Sequence, residues 1–156
     1  MSPGPHAAAP KPPPLVAALI AFAGGAAGTV LRAATRHAGA DLHLPPWLPT
    51  LVVNVAATFL AGFLGQFLLG HLTRQQARAV DVLDPAQERA HRLAMLGVTG
   101  FCGGLSTFSA LGVDLSALVH ARHAGELTLL LLLSLGLGLP SAWAGLALGR
   151  RMNPHR

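Results

Sequence analysis

Long uncharged runs alternate along this chain with short segments that carry nearly all of its charged residues. A transmembrane helix needs about 20 predominantly apolar residues to cross the roughly 30 Å hydrocarbon core of a bilayer. Four runs reach or approach that length, and none has a polar face broad enough for a soluble amphipathic helix. These runs are Leu15–Leu31, Leu48–Gly70, Leu93–Val113 and Leu127–Gly149. The pattern predicts an all-α membrane protein with four transmembrane helices.

Charged and turn-forming residues mark the boundaries of the predicted domain. Residues 1–14 are rich in proline and are expected to form a disordered tail. Residues 15–150 are expected to form the transmembrane domain, and residues 151–156 a basic C-terminal tail. The polar linker 73–92 could form a short surface helix. We expect the four spans at about 15–34, 48–70, 93–119 and 127–149.

The first run also has features of a signal peptide. Lys11 precedes it, and Ala21-Phe22-Ala23 offers small residues for a cleavage site. The apolar character nevertheless continues to Leu31, which is long enough for a complete span. We therefore expect this segment to be retained as the first transmembrane helix.

The composition supports a membrane protein. Hydrophobic residues make up 52% of the chain and Asp, Glu, Lys and Arg only 11%, against about 25% charged residues in soluble domains. The net charge of +5 indicates loops that face anionic lipid headgroups rather than a nucleic-acid surface. The single cysteine, Cys102, has no partner for an internal disulfide and is expected to be a small buried side chain.

The basic residues are distributed unevenly over the two sides of a four-span arrangement. Eight of the eleven Lys and Arg residues fall in the two tails and the loop between the second and third runs. The other side would hold Arg32, Arg36 and Arg122. Positively charged loops stay in the cytoplasm, so this bias predicts both termini there and one fixed orientation in the cell membrane.

Polar side chains within the runs are few. Thr50, Asn54 and Thr58 are spaced four residues apart and lie on one stripe of the second predicted helix. Asn54 must satisfy its donors and acceptor at membrane depth, so this stripe is expected to face protein or a water-filled path. Further polar side chains in the runs include those of Gln66, Ser106, Thr107, Ser109, Ser134 and Ser141.

The four uncharged runs contain no aspartate, glutamate, lysine or histidine. A proton-coupled pump needs a titratable group at membrane depth. Enzymes and metal centres likewise need clusters of such groups, whereas the eight histidines of this chain all lie in tails and loops. The sequence therefore predicts neither a pump nor an enzyme.

The segment Gly100–Ala110, "GFCGGLSTFSA", is a poor helix interior. It holds three glycines and three hydroxyl residues, and each glycine costs about 1 kcal/mol relative to alanine in a helix. It predicts a third helix that is broken near its middle. Broken helices free backbone carbonyls for cations and expose helix N-termini to anions, which favours an ion site. The alternative is a kinked helix whose own hydroxyl groups satisfy its backbone.

Several motifs resemble those of the CrcB/Fluc family of small fluoride channels, and the match covers nearly the whole chain after the tail. "GGAAGTVLR" at 24–32 is similar to the family's glycine motif in the first span. "PTLVVNVAATFLAGF" at 49–63 resembles its GTLxVNxxGSFxxG pattern. "GFCGGLSTFSALGVD" at 100–114 resembles GFCGGxTTFSTFSxE, the most specific of these motifs. The last span, "LSLGLGLPSAWAGLALG", ends as in family members.

The resemblance implies an antiparallel, dual-topology dimer of four-span subunits with two narrow pores for passive fluoride efflux, which confers fluoride resistance. It also implies a structural sodium ion at the dimer centre, bound by the backbone carbonyls of Gly103 and Ser106 and not transported. The pore asparagine would be Asn54, the first pore phenylalanine Phe108, and the hydroxyl of the fourth span Ser134.

Elementary chemistry agrees with that assignment. Fluoride is strongly hydrated, so a pore must replace its water with hydrogen-bond donors, which Asn54, Thr107, Ser109 and Ser134 can supply. The positive edge of the Phe108 ring can face an anion. Chloride would be excluded by its larger size. Sodium prefers oxygen ligands, which a broken helix provides.

The chain also departs from the family pattern. The second pore phenylalanine is replaced by Leu111, which removes a ring edge from the path. Leu130 stands where an aromatic is frequent, Ala57-Thr58 replaces Gly-Ser, and Asp114 replaces glutamate. Arg32, at the end of the first run, is expected to reach toward the membrane surface, although a contact with the pore is the alternative.

Leu111 and the charge bias together suggest a heterodimer with an oppositely oriented paralogue, in which only one pore is intact. The alternatives are a homodimer, a non-conducting subunit, or a small four-span transporter of the drug-exporter type. The last would need a carboxylate in mid-membrane, which the uncharged runs do not contain.

Overall fold

The computed structural model describes residues 13–78 and 92–152, with side chains for 13–68 and 92–152. These residues form helices and turns and contain no strand. The structure has the helices α1 (Pro14–Asp41), α2 (Trp47–Arg78), α3 (Met95–Cys102), α4 (Gly103–Leu105), α5 (Phe108–His120) and α6 (Ala124–Arg151). Helix α3 is π-helical, and α4 is a single turn.

The prediction of an all-α protein with four spans is confirmed. Within the described residues, four helical segments are long and apolar enough to cross a membrane. They are Pro14–Asp41, Trp47–Leu68, Arg92–His120 and Ala124–Arg151. Residues 1–12 and 153–156 of the predicted tails lie outside the described residues, as does the linker at 79–91.

Short left-handed turns join neighbouring helices. His43 follows α1 with φ 55°, and Arg122 follows α5 with φ 58°. The next amides close these turns: Leu44 N–H donates to the Gly39 carbonyl at 2.9 Å, and His123 N–H to that of Leu118 at 3.0 Å. Such caps satisfy the carbonyls at a helix end, and the short connections make α1 antiparallel to α2 and α5 antiparallel to α6.

Glycines bring helix backbones into direct contact at two seams. At the first, between α1 and α3–α4, a β-carbon on Gly28 would collide with the Phe101 carbonyl, and one on Gly104 with the Gly25 carbonyl. At the second, between α2 and α6, a β-carbon on Gly145 would collide with the Phe59 carbonyl. The small residues of "GGAAG" thus serve close helix packing.

The buried apolar side chains form two clusters. The larger joins α2, α5 and α6 through Trp47, Leu51, Leu118 and Leu130, and the smaller consists of Val53, Ala57 and Leu105. The predicted burial of the single cysteine is confirmed, since Cys102 is only 2% exposed. Large apolar side chains also cover the outer surface, which is typical of a protein that meets lipid or a second subunit; examples are Phe22, Phe108, Leu132, Leu139 and Trp143.

One carboxylate lies deeper in a helix than the sequence pattern suggests. The third uncharged run ends at Val113, but α5 continues past Asp114 to His120, and Asp114 is 5% exposed. The helix accommodates this charge because Arg36 of α1 pairs with it. The expectation that no carboxylate lies within the spans therefore holds for the uncharged runs and not for the helices themselves.

Candidate ion site at the interruption of the third span

Helical geometry is interrupted between α4 and α5. Ser106 (φ −88°, ψ 133°) and Thr107 (φ −142°, ψ 129°) both have extended backbones. We call these two residues the interruption. The Ser106 amide and hydroxyl both donate to the Cys102 carbonyl at 2.9 Å, which completes the last turn of α4. One hydroxyl of the segment is thus used internally, as expected for a kinked helix.

Asn54 of α2 lies beside the interruption. Its side-chain Oδ1 accepts a hydrogen bond of 3.2 Å from the backbone N–H of Thr107. Because the amide oxygen is used there, the NH₂ group points elsewhere. That group donates no hydrogen bond within the described residues. Asn54 therefore binds the backbone of the interruption through its amide oxygen and keeps the two N–H donors of its NH₂ group free beside it.

Arg32 of α1 approaches the interruption from another direction. Its guanidinium donates a hydrogen bond to the Thr107 hydroxyl, in a partly buried position. The expectation that Arg32 only reaches toward the membrane surface is not what the structure describes. The Thr107 hydroxyl oxygen accepts from Arg32, and its own proton remains available for donation. A fixed positive charge thus lies against one of the predicted pore residues.

The carbonyls of Gly103 and Ser106 lack their helical partners. In a continuous α-helix they would accept from the amides of Thr107 and Ala110. Thr107 N–H instead donates to Asn54, and the described backbone has no hydrogen bond from Ala110 to Ser106. Gly103 is exposed, and a β-carbon there would meet no atom within 4 Å. Both oxygens are therefore suited to a ligand outside the helix.

Phe108 and Ser109 open α5 and face outward. Phe108 is 84% exposed, and Ser109 is also exposed. The partial positive charge of a helix N-terminus lies at this position. Ser134, on α6, is half-buried and, like Ser109, makes no hydrogen bond within the described residues. The structure brings Asn54 and Arg32 each into contact with Thr107. No described contact links Ser134 to these three residues.

Leu111 points away from this surface. It packs against the cluster of Trp47, Leu51, Leu118 and Leu130 inside the subunit. Leu130 is completely buried in that cluster. Both positions at which the family has aromatic residues therefore contribute here to the core between α2, α5 and α6. The sequence could not indicate this, because it does not fix how α5 is rotated about its axis.

The predicted stripe of α2 divides into three environments. Thr50 is 1% exposed, and its hydroxyl has no hydrogen-bond partner in the part of the chain that the structure describes. Thr58 donates to the Asn54 carbonyl one turn earlier, at 2.7 Å, which is an ordinary bond within a helix. Of the three, Asn54 alone makes a described contact with the interruption.

Two contacts of arginine were not identified from the sequence. Arg32 and Arg36 lie one turn apart on α1 and reach Thr107 and Asp114 respectively. Their spacing of four residues is visible in the sequence and places them on one face, but the partners depend on how α1 is placed along the third span. Within the described residues, no group of three or more His, Cys, Asp or Glu side chains could hold a metal ion.

Comparison with known proteins identifies the family. The family model described as CrcB-like protein, Camphor Resistance (CrcB), matches residues 19–146. The chain belongs to this family. A CrcB-like relative from Mycolicibacterium paratuberculosis, named Fluoride-specific ion channel FluC 1, is 35% identical over 136 residues, which cover 86% of this chain and 91% of that protein.

Two further CrcB-like relatives show similar likeness. Fluoride-specific ion channel FluC 2 of Leifsonia xyli is 31% identical over 138 residues, covering 88% of this chain and 86% of that protein. FluC of Azotobacter vinelandii is 36% identical over 128 residues, covering 80% of this chain and 90% of that protein. Since these relatives are named as channels, the predictions of a multi-pass membrane protein and of a protein that is not an enzyme are confirmed.

Proposed function

We propose that this CrcB-like protein is a fluoride-selective ion channel that lowers cytoplasmic fluoride by passive efflux. The observation that carries the proposal is the contact between Asn54 and the interruption. It leaves the Asn54 NH₂ group free beside the Thr107 hydroxyl, which Arg32 contacts. Donors and a positive charge at one place suit a small anion that must exchange its water for hydrogen bonds.

The ion path would run over the outer surface of the subunit, where a second subunit closes it. Phe108 would offer its positive ring edge to the anion, and the hydroxyls of Ser109 and Ser134 would donate further along. The strong exposure of Phe108 supports this arrangement, because the ring makes little packing contact within its own subunit. We therefore propose a dimer of oppositely oriented subunits.

A structural sodium ion fits the donor set at the dimer centre. The carbonyls of Gly103 and Ser106 are oxygen donors without helical partners, and sodium prefers such ligands. Two subunits would contribute four carbonyl oxygens. When bound, the ion would supply a positive charge that holds the two interruptions together. The residues of this chain would orient the carbonyls and keep water from the contact.

The partner of the subunit is either a second copy or an oppositely oriented paralogue. The bias of eight basic residues against three favours one fixed orientation, which an antiparallel homodimer cannot use. The packing of Leu111 inside the subunit removes the second ring from the path. Both observations favour a heterodimer in which only one pore is intact.

Flux from liposomes tests the proposal. The purified protein would be reconstituted in liposomes loaded with potassium fluoride or potassium chloride, and efflux would be started with a potassium ionophore. From an intact channel we expect rapid fluoride efflux, no chloride efflux, and loss of activity when sodium is replaced by a large organic cation; efflux from this chain alone would show that no paralogue is required. Fluoride efflux no faster than from protein-free liposomes would contradict a channel formed by this chain alone. Recovery after co-expression with a paralogue would then support the heterodimer.

The drug-exporter alternative predicts a different result. Such an exporter would use a carboxylate in mid-membrane, and Asp114 is the buried carboxylate of the described spans. It is buried and forms an ion pair with Arg36, so it is not open to a substrate. Transport of an organic cation driven by a proton gradient, without fluoride efflux, would favour this alternative over the channel.

A further inference from the structure

Helix α1 contacts the third span on both sides of the interruption. Before it, the contacts are between backbones: a β-carbon on Gly28 would collide with the Phe101 carbonyl, and one on Gly100 would lie 2.6 Å from the Ala21 carbonyl. This seam fixes α3 and α4 against α1 without the help of long side chains.

At Thr107 and beyond it, the described hydrogen bonds from α1 come from two arginines. Arg32 donates to Thr107, and the Nη2 atom of Arg36 lies 3.3 Å from Oδ1 of Asp114. Thr107 and Asp114 are seven residues apart, so the two contacts hold both the start and the middle of α5. Helix α1 thus spans the interruption from one side to the other.

The two side chains of the Arg36–Asp114 ion pair differ in their exposure to solvent. The Asp114 side chain is 5% exposed, while that of Arg36 is 40% exposed. Oδ2 of Asp114 has no hydrogen-bond partner among the described residues. A buried carboxylate without a cation is strongly unfavourable, whereas a partly exposed guanidinium can turn to water. Loss of Arg36 should therefore disturb the protein more than loss of the Asp114 charge.

Two of the other titratable side chains that share a cavity with Asp114, His123 and Glu126, are paired with each other. A cavity of about 540 Å³ is lined by Asp114 together with His43, His123 and Glu126. The carboxylate of Glu126 accepts from the Trp47 indole at 2.8 Å and lies 3.0 Å from His123. Arg36 is thus the cation that the structure places against Asp114.

We propose that Arg36 is a positioning residue for the ion pathway, acting through Asp114. The pair holds α5 at a fixed position relative to α3 and α4, and so sets where Phe108 lies relative to the Ser106 carbonyl. The effect on ion flux rests on the proposed channel function, whereas the effect on the order of α5 does not. Arg36 itself need not touch the ion.

Five variants test this inference in the full-length purified protein: Arg36→Gln, Asp114→Asn, the double variant, Arg36→Lys and, as control, Arg122→Gln. Arg122 is an exposed arginine in the turn after α5, on the same predicted side of the membrane. Hydrogen–deuterium exchange would be followed for peptides covering 106–115 and, as an internal reference, 93–105. Fluoride conductance would be measured for single channels in a planar bilayer.

We expect Arg36→Gln to accelerate exchange at 106–115 by about tenfold while 93–105 stays protected by the glycine seam. Asp114→Asn and the double variant should change exchange less than Arg36→Gln, and Arg36→Lys should recover part of the protection. Single-channel fluoride conductance should fall in Arg36→Gln and recover in the double variant. General unfolding would lower the number of channels and leave the conductance of each unchanged.

The two measurements separate the two proposals. Equal exchange rates at 106–115 in Arg36→Gln and Arg122→Gln would overturn the positioning role, whatever the flux. If the wild-type protein carries no fluoride but Arg36→Gln loosens 106–115, the positioning role stands and the channel function fails. A double variant as loose as Arg36→Gln would also contradict the inference, because the buried charge would then not be the cause.

Discussion

The two parts of the third span, α3–α4 before the interruption and α5 after it, are held in the protein by different kinds of contact. The first part meets α1 backbone to backbone through Gly100 and Gly104. The second part is held by side chains: Leu118 in the apolar cluster with α2 and α6, and Asp114 through its ion pair with α1. Backbone contacts leave no room for adjustment, whereas side-chain contacts can shift by changes of rotamer.

This difference indicates that the first part of the span has a fixed position and that the second part is positioned relative to it. The α1–α3 seam excludes even a single added carbon, so the position of α4 and of the Ser106 carbonyl that follows it is fixed by packing. The position of Phe108 depends on how α5 is held. A pathway that selects a small ion needs the groups of both parts at fixed positions relative to each other.

The largest effect is expected from adding one carbon to the first part. Gly104→Ala would force a β-carbon onto the Gly25 carbonyl of α1. Because backbone rather than a flexible side chain must move, we expect a loss of about 3 kcal/mol in stability, at the upper end for overpacked sites. Thermal unfolding of the purified protein in detergent would measure it.

The matched control lies in the second part. A β-carbon on Gly112 of α5 would meet no atom within 4 Å. Gly112→Ala should therefore be neutral or gain up to about 1 kcal/mol, because alanine favours a helix. If Gly104→Ala is as stable as Gly112→Ala, the first part is not fixed by backbone packing, and the comparison fails.

The next effect concerns the point where the two parts meet. Asn54→Ala removes both the acceptor of the Thr107 amide and the free NH₂ group. A hydrogen bond to a charged group is worth about 1.5–3 kcal/mol, so fluoride efflux from liposomes should fall by roughly ten- to a hundredfold.

Two comparisons sharpen this result. Thr58→Ala, on the same face of α2, removes only a bond within the helix and should keep nearly full fluoride efflux. Asn54→Asp keeps the acceptor but replaces the donors by a negative charge, and it should be at least as inactive as Asn54→Ala. Normal flux through Asn54→Ala would exclude this residue from the ion path.

A smaller effect is expected where α5 packs against its cluster. Leu111→Ala removes a partly buried side chain that contacts the cluster of α2, α5 and α6. In a membrane the exposed alternative is lipid, so the cost is mainly lost packing, and we expect about 1–2 kcal/mol. Val113→Ala, at a 62% exposed position of the same helix, should change the free energy of unfolding by only roughly a few tenths of a kcal/mol. Equal losses would show that Leu111 does not anchor α5.

The sequence predicted the elements that depend on composition and local pattern. Four apolar runs predicted four helices because the thickness of a bilayer sets the length of a span. The segment from Gly100 predicted an interrupted helix by its poor helix propensity, and its role as an ion site stays a prediction.

The contacts between elements could not be predicted in the same way. The partners of Arg32 and Arg36 depend on the register between α1 and the third span, which no local pattern encodes. The inward packing of Leu111 depends on how α5 is rotated about its axis. That rotation is set at Thr107, where the extended backbone changes the direction of the chain. In the sequence Asp114 marks the end of an apolar run, because its cation lies 78 residues earlier in the chain.

The smallest effect is expected at the interruption itself. Ser106→Ala removes a hydroxyl whose described bond goes to the Cys102 carbonyl, at 2.9 Å. The same carbonyl still accepts from the Ser106 amide, so the loss should be about 0.5–1 kcal/mol in stability. Fluoride efflux and its dependence on sodium should change by less than about twofold, because the proposed sodium ligand is the backbone carbonyl, which alanine retains. Ser106→Pro is the informative contrast, since it removes the amide donor to Cys102 and with it the last bond of α4. Abolished flux in Ser106→Ala would mean that the hydroxyl itself contacts an ion, and the assignment of the carbonyl would then be wrong.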